Sequence, residues 1–171
     1  DGSLSQFHEH DQTCREVQFE ESRLDSRLAG PNRLFYLEVK SVTLVENAAA
    51  LFPDSLTERG QRQLDMLVRA MKQGHRAVIL FVIQRSDAGV FVPNVPADFG
   101  FSDEALAGLR SGVKVYAYRC RVSRHSVFLS DSMPVRFSIE HNYFSIVNTD
   151  IVLEIYSRML KRYGPQHWWP A

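Results

Sequence analysis

Two runs of the chain, Glu16 to Leu28 and Leu34 to Val45, carry the β-rich alternation expected of strands, and Ala29-Gly30-Pro31-Asn32 separates them with turn-forming residues. A β-hairpin is predicted. With its turn centred on Gly30 and Pro31, Asp25 falls opposite Tyr36 and diagonal to Glu38, on the face that also carries Arg23 and Lys40. After Phe52-Pro53-Asp54-Ser55 the period changes. Between Thr57 and Gln73 the apolar side chains Leu64, Leu67, Val68 and Met71 recur at helical spacing with charges between them, and Gly74 suits the helix end. The next run, Ala77 to Ile83, has the length and β-branching of a buried strand. Strand, helix, strand predicts a crossover into parallel pairing. A second helix is expected over Ser102 to Arg110, capped by Ser102 and followed by Gly112, leading into a strand from Val113 to Val122. The middle of the chain therefore reads as α/β. Further on, Asn148-Thr149-Asp150 starts a pattern in which Ile151, Val152, Ile155, Met159 and Leu160 form an apolar stripe ending at Gly164-Pro165. This predicts an extra helix over 148–163 that packs on the core or on a partner, a second copy of the chain included.

Length and charge narrow the classes. The 171 residues, 44% hydrophobic, suffice for one ordinary core. No apolar run approaches the roughly 20 residues of a membrane-spanning helix, and residues 1–15 are polar and His-rich rather than a leader. A soluble, cytoplasmic protein is expected. Residues 1–14 read as a loosely packed segment in which His8 and His10 are solvated. Cys14 and Cys120 have neither metal-ligand spacing nor the pattern of a disulfide framework. The formal net charge of zero excludes a protein that coats nucleic acid by bulk electrostatics, so any such contact must be local.

The candidate chemistry lies on one strand. Glu38 and Lys40 are two residues apart, so both project from the same face of a strand otherwise built of Leu37, Val39, Val42 and Leu44. Burying a carboxylate and an ammonium there is costly unless metal, substrate or partner compensates them. The plain alternative is a set of cross-strand salt bridges among Arg23, Asp25, Glu38 and Lys40, each worth on the order of 0.2–1 kcal/mol if exposed. A polar cluster, Gln84-Arg85-Ser86-Asp87, ends the apolar strand, and in α/β sheets ligand crevices lie beyond such ends. Arg85 is placed to reach a phosphate, or else to pair with Asp87 or Glu58.

Tyr36-Leu37-Glu38-Val39-Lys40-Ser41-Val42-Thr43-Leu44, Leu51-Phe52-Pro53-Asp54, Thr57-Glu58-Arg59-Gly60, Gly74-His75-Arg76-Ala77 and Phe81-Val82-Ile83-Gln84-Arg85-Ser86-Asp87 follow one another in order. With Ser22-Arg23-Leu24-Asp25 before them and Val115 to Ser123 behind, they resemble the bacterial sugar fermentation stimulation protein (SfsA) family over about Arg15 to Phe137. The resemblance implies a restriction-endonuclease-like αβββαβ core with a mixed central sheet, and the PD-(D/E)xK pattern of that superfamily, in which Asp25, Glu38 and Lys40 are the candidate catalytic residues. Hydrolysis of a phosphodiester calls for a hard cation, Mg²⁺ or Mn²⁺, with oxygen ligands from one or two carboxylates. Asp25 and Glu38 are the expected metal ligands, and Lys40 orients or helps to deprotonate the attacking water. Arg23, Lys40, Arg59 and Arg85 are the candidate nucleic-acid contacts, with DNA the expected partner.

The chain departs from the family in two places. Members carry an OB-like barrel ahead of this region, whereas here at most about 20 residues precede the Asp25 strand, so the chain is a fragment or lacks that binding module. Ser26 stands where the family usually has an aromatic residue. The expected organisation is thus 1–14, a nuclease-fold domain over 15–137, and an extension over 138–171. Its expected function is DNA binding with a Mg²⁺-dependent nuclease site, the alternative being a non-catalytic DNA-binding regulator of sugar (maltose-type) metabolism genes.

Overall fold

The structure, a computed structural model, describes residues 12–30 and 33–137. The helix expected over 148–163, and His8 and His10, lie outside the described residues. Two sheets and two helices make up the described part. The first sheet has six strands: β1 (Gln12–Phe19), β2 (Ser22–Ala29), β3 (Leu34–Val42), β6 (Arg76–Ile83), β8 (Lys114–Val122) and β9 (Val127–Met133), in that spatial order. Its three central strands, β3, β6 and β8, run parallel, and the flanking pairs are antiparallel. The second sheet consists of β4 (Leu44–Glu46), β5 (Ala49–Phe52) and β7 (Val90–Pro93). Helices α1 (Glu58–Lys72) and α2 (Phe99–Arg110) complete it.

The fold class is therefore mixed α/β with a mixed sheet. Its parallel centre follows from β6, where Ala77 to Phe81 and Ile83 are all buried, the near-continuous apolar run of a strand covered on both faces. One cover is helical. Phe81 stacks on Phe91 with ring centroids 4.0 Å apart and meets Phe101 of α2 edge-on at 6.5 Å. On the other face Leu28, Phe35 and Val78 pack with Leu37 and Tyr116.

Four expectations need correction. The run from Glu16 to Leu28 is not one strand: the chain turns at Glu20, in left-handed conformation, and pairs β1 with β2. Leu34 to Val45 likewise breaks at Thr43, and a two-residue turn at Asn47-Ala48, both with positive φ, folds β4 onto β5. The β2–β3 register is also shifted by two, with Arg27 opposite Tyr36 and Ser26 opposite Leu37. A shift of two preserves the face of every side chain. Finally, α2 begins three residues before Ser102. Its cap is the buried Asp98, which accepts from the Phe101 N–H at 2.9 Å, while Ser102 donates to the Asp98 carbonyl at 3.0 Å. Asp98 also accepts from the Thr57 N–H and from Gln61 Nε2, both at 2.8 Å, and so ties the start of α1 to the start of α2.

Helix α1 forms where the pattern places it, capped by Thr57, whose hydroxyl oxygen accepts from the Gly60 N–H at 3.1 Å. It buries Gly60, Gln63, Leu64, Met66, Leu67 and Ala70. One member of that stripe is polar, and it leads to the site.

Candidate functional site

One step beyond the Ser26–Leu37 pair, the β2–β3 register would bring Asp25 against Glu38. There the ladder gives way to side chains. The Asp25 N–H donates to Glu38 Oε2 at 3.2 Å, and the Val39 N–H donates to Asp25 Oδ2 at 2.8 Å. Each acid thus satisfies a backbone donor on the opposite strand, and the two carboxylates are held beside one another. Sequence alternation then places Lys40 on the same face, and its Nζ lies 2.8 Å from Glu38 Oε1.

The helix closes the cluster. Gln63 accepts from Lys40 Nζ at 2.5 Å and donates through Nε2 to the Arg23 carbonyl at 3.1 Å. Gln63 was not anticipated from the sequence, although its signal was present: it falls within the apolar stripe of α1, one residue before Leu64, where an amide must find partners. Its two bonds fix the ammonium of β3 and the backbone of β2 to the same side chain.

Burial dominates the electrostatics. The Glu38 side chain is 2% exposed and that of Lys40 13%. Desolvation pushes the Glu38 carboxyl above its ordinary value of 4.5; Lys40, by charge and hydrogen bond, pulls the other way, and the charge of Asp25 adds to the rise. The buried acid faces one ammonium on a central strand of the sheet.

The donor set suits a hard divalent cation. Asp25 Oδ1 takes no hydrogen bond among the described residues, and Glu38 uses one bond on each oxygen, so both acids keep lone pairs. Two carboxylates with water and phosphate oxygens are what Mg²⁺ commonly takes; no group of three or more His, Cys, Asp or Glu residues forms an all-protein cage among the described residues. Lys40 spends two of its three N–H groups, on Glu38 and Gln63, and keeps one.

The remaining candidates stand apart. Arg23 is exposed and pairs with Glu16 at 3.4 Å. Arg59 is exposed in the first turn of α1 and has no ion pair among the described residues. Arg85 grips Asp87 with two bonds, at 2.9 and 2.6 Å, and reaches the Thr43 carbonyl at 3.4 Å. Since Lys40 lies opposite Phe81, Arg85 sits four residues further along the strand direction, roughly 13 Å at 3.3 Å per residue. It belongs to the rim beyond the strand end.

A mixed-sheet α/β domain with two acids and a lysine at a hairpin splayed against a helix defines the class. The family model described as the sugar fermentation stimulation protein RE domain matches residues 1–126. The chain belongs to the sugar fermentation stimulation protein (SfsA) family. It is 40% identical over 136 residues to a sugar fermentation stimulation protein homolog of Desulforamulus reducens, covering 80% of this chain and 57% of the relative. It is 42% identical over 134 residues to the homolog of Chloroflexus aurantiacus, covering 78% and 52%. The chain thus spans a little over half the length of these relatives. Among solved structures it resembles Pyrococcus furiosus SfsA in complex with Ca²⁺, with a TM-score of 0.73, 25% identity, and coverage of 78% of this chain and 58% of that one. No helix among the described residues is long and apolar enough to cross a membrane.

Proposed function

We propose that this domain binds DNA and hydrolyses phosphodiester bonds at the Asp25–Glu38–Lys40 cluster, as a restriction-endonuclease-like site. The observation that carries the reading is the opened β2–β3 ladder, where two carboxylates with spare lone pairs meet an ammonium with a spare N–H. Asp25 and Glu38 are the residues that would hold Mg²⁺ or Mn²⁺, which when bound supplies positive charge where the phosphoryl oxygens gather negative charge. The relative from Pyrococcus furiosus is described in complex with Ca²⁺, itself a hard cation that takes oxygen ligands, which supports a hard-cation reading.

The chain's own groups do the positioning. Lys40, fixed by Glu38 and Gln63, directs its remaining N–H at the attacking water or a phosphate oxygen, and its charge offsets that of the incoming phosphate. Gln63 keeps the ammonium in place without adding charge. Asp25, bonded to the Val39 N–H through Oδ2, keeps Oδ1 for the cation. Arg23, Arg59 and Arg85 are exposed and serve as backbone contacts to the nucleic acid.

A second reading has its own support. Glu38 is closed to solvent and both its oxygens already hold hydrogen bonds, as in a structural acid, which favours a DNA-binding protein without catalysis. Nicking of supercoiled and branched DNA in Mg²⁺ or Mn²⁺ separates the two. The nuclease reading expects cleavage that chelator abolishes and that Asp25→Asn or Lys40→Ala lowers by about 10²-fold or more. Binding that persists in chelator, falls steeply with salt and is never accompanied by cleavage supports the regulator.

A further inference from the structure

Beyond its last pairing with β6, Arg119 opposite Ile83, β8 continues through Cys120, Arg121 and Val122, paired with β9 alone among the described strands. A two-stranded ribbon therefore extends from the sheet at the carboxyl ends of its parallel strands, the end where Arg85 also lies. Val122, Val127 and Phe128 of this ribbon are 45%, 55% and 64% exposed, three of the five large apolar side chains exposed among the described residues. Such a cluster, unlike single exposed residues, marks a binding surface. Charge is gathered there too. Between Glu104 and Asp131 the chain has no Asp or Glu but carries Arg110, Lys114, Arg119, Arg121 and Arg124, in a molecule of zero formal net charge. Asp131, at the base of the ribbon, is taken by Arg119 at 3.0 Å and by the Ser130 hydroxyl at 2.8 Å. Arg121, Arg124 and His125 are exposed at its end.

Ser123 holds the turn. Its N–H donates to the Ser126 carbonyl at 2.8 Å, and its hydroxyl oxygen accepts from the Ser126 N–H at 3.1 Å and lies 2.7 Å from the Ser126 hydroxyl, so Arg124 and His125 occupy the two positions between. Sheet register fixes which way the ribbon faces. Lys40 lies opposite Phe81 and Phe81 opposite Ala117; one strand repeat on, Val42, Ile83 and Arg119 are level in the same way. Partners in register share a face, and β8 returns to that face at Arg121, whose neighbour across the ribbon is Phe128. The arginine and the ring therefore belong to the face that carries Glu38 and Lys40. Measured from Lys40, Arg121 lies roughly 13 Å along the strand direction and roughly 10 Å to the side, four residues past Ala117 and two strand spacings across.

We infer that the end of the β8–β9 hairpin is a binding surface for single-stranded DNA, with Phe128 stacking on an unpaired base and Arg121 and Arg124 gripping the flanking phosphates. This rests on the DNA reading of the acid cluster and narrows its substrate to DNA with unpaired nucleotides near the scissile bond, such as forks, flaps and free strands. Every base has a π-face, but in a duplex those faces are stacked on one another, so an exposed ring finds a partner where the strand is unpaired. A phosphodiester strand also brings a negative charge with every nucleotide, which a ribbon end rich in arginine complements by charge-assisted, fork-shaped hydrogen bonds. The shared face and the short offset from Lys40 let one strand lie across both the ring and the acids.

Fluorescence anisotropy of the whole chain, in chelator so that nothing is cleaved, tests the surface with a labelled oligodeoxythymidine of about 16 nucleotides and a blunt duplex of the same length. The single strand is expected to bind at least about tenfold more tightly than the duplex, and Phe128→Ala to lose about tenfold on the single strand. Phe128→Trp is expected to keep the affinity and to show quenching by the bound strand beyond that of the wild type. Arg121→Ala with Arg124→Ala is expected to flatten the dependence of log K on log salt by about 1.4, two phosphates at about 0.7 each. All three positions are exposed, and circular dichroism checks that the fold is kept. The assignment is overturned by equal or tighter binding of the duplex, or by undiminished affinity in Phe128→Ala. It is overturned too if Phe128→Ala turns a dimer into a monomer in sedimentation without weakening DNA binding, which gives the surface to a second copy of the chain. Nicking in Mg²⁺ or Mn²⁺ by a Phe128→Ala protein of undiminished binding removes the hairpin and leaves the hydrolysis; strand binding that depends on Phe128 with no nicking does the reverse.

Discussion

Glu38–Lys40 and Arg85–Asp87 are both acid–base pairs two residues apart, at 2.8 and 2.6 Å, yet they are opposite in consequence. The first is buried, at 2% and 13% exposure, and desolvation outweighs the attraction of the partner, so the carboxyl of Glu38 is pushed up. The second is 44% and 55% exposed, and the Arg85 hydrogen bond holds the Asp87 carboxyl below its ordinary range. Distance alone does not tell them apart. A close pair in water is a weak, salt-screened contact, whereas the same pair inside the sheet must be completed by further bonds from Gln63 and the Asp25 N–H.

That contrast is open to direct attack. The largest effect is expected from Glu38→Ala, which leaves the Lys40 ammonium buried without its counter-charge; urea unfolding should record a loss of about 3–5 kcal/mol. A loss no larger than that of an ordinary surface substitution would show the cluster to be better hydrated than its burial indicates. Gln63→Ala should follow at about 1–3 kcal/mol, because it strips partners from both Lys40 and the Arg23 carbonyl.

Proton linkage gives a subtler test. Because folding raises the carboxyl of Glu38 above 4.5, the native state holds its proton more readily than the unfolded chain does. Its stabilising contribution is complete below about 4.5 and is lost as pH rises through the raised value. The stability of the wild type relative to Glu38→Gln should therefore decline as pH climbs above about 4.5 through the raised value. Millimolar Mg²⁺ or Mn²⁺ should recover part of that decline in the wild type and none in Glu38→Gln, measured as a shift in melting temperature. At the small end, Arg85→Ala should leave the unfolding midpoint unchanged within error. A large, salt-resistant loss there would erase the distinction between the two pairs.

Much of the site was legible before any coordinates. A strand period of two places Glu38 and Lys40 on one face whatever surrounds them, and the α1 pattern fixes that helix almost to its caps, at Thr57 and Gln73. The face shared by Asp25 and Glu38 survived an error of two residues in register, because such a slip restores the same side. Other features were hidden. Asp98, which caps α2 through the Phe101 N–H, is buried against Thr57 and Gln61 about 40 positions away, and β5 and β7 are too short to declare themselves without the pairing that stabilises them.

By itself, then, the sequence determined periodicities: which residues share a face, where α1 starts and stops, and that one strand carries an acid and a lysine. The tertiary structure decided which faces meet. It set Asp25 beside Glu38 by opening the ladder and brought Gln63 down on Lys40. Local spacing is written in the backbone's own repeat, whereas the choice of neighbours depends on burial summed over the whole sheet, a quantity that no short window of the chain contains.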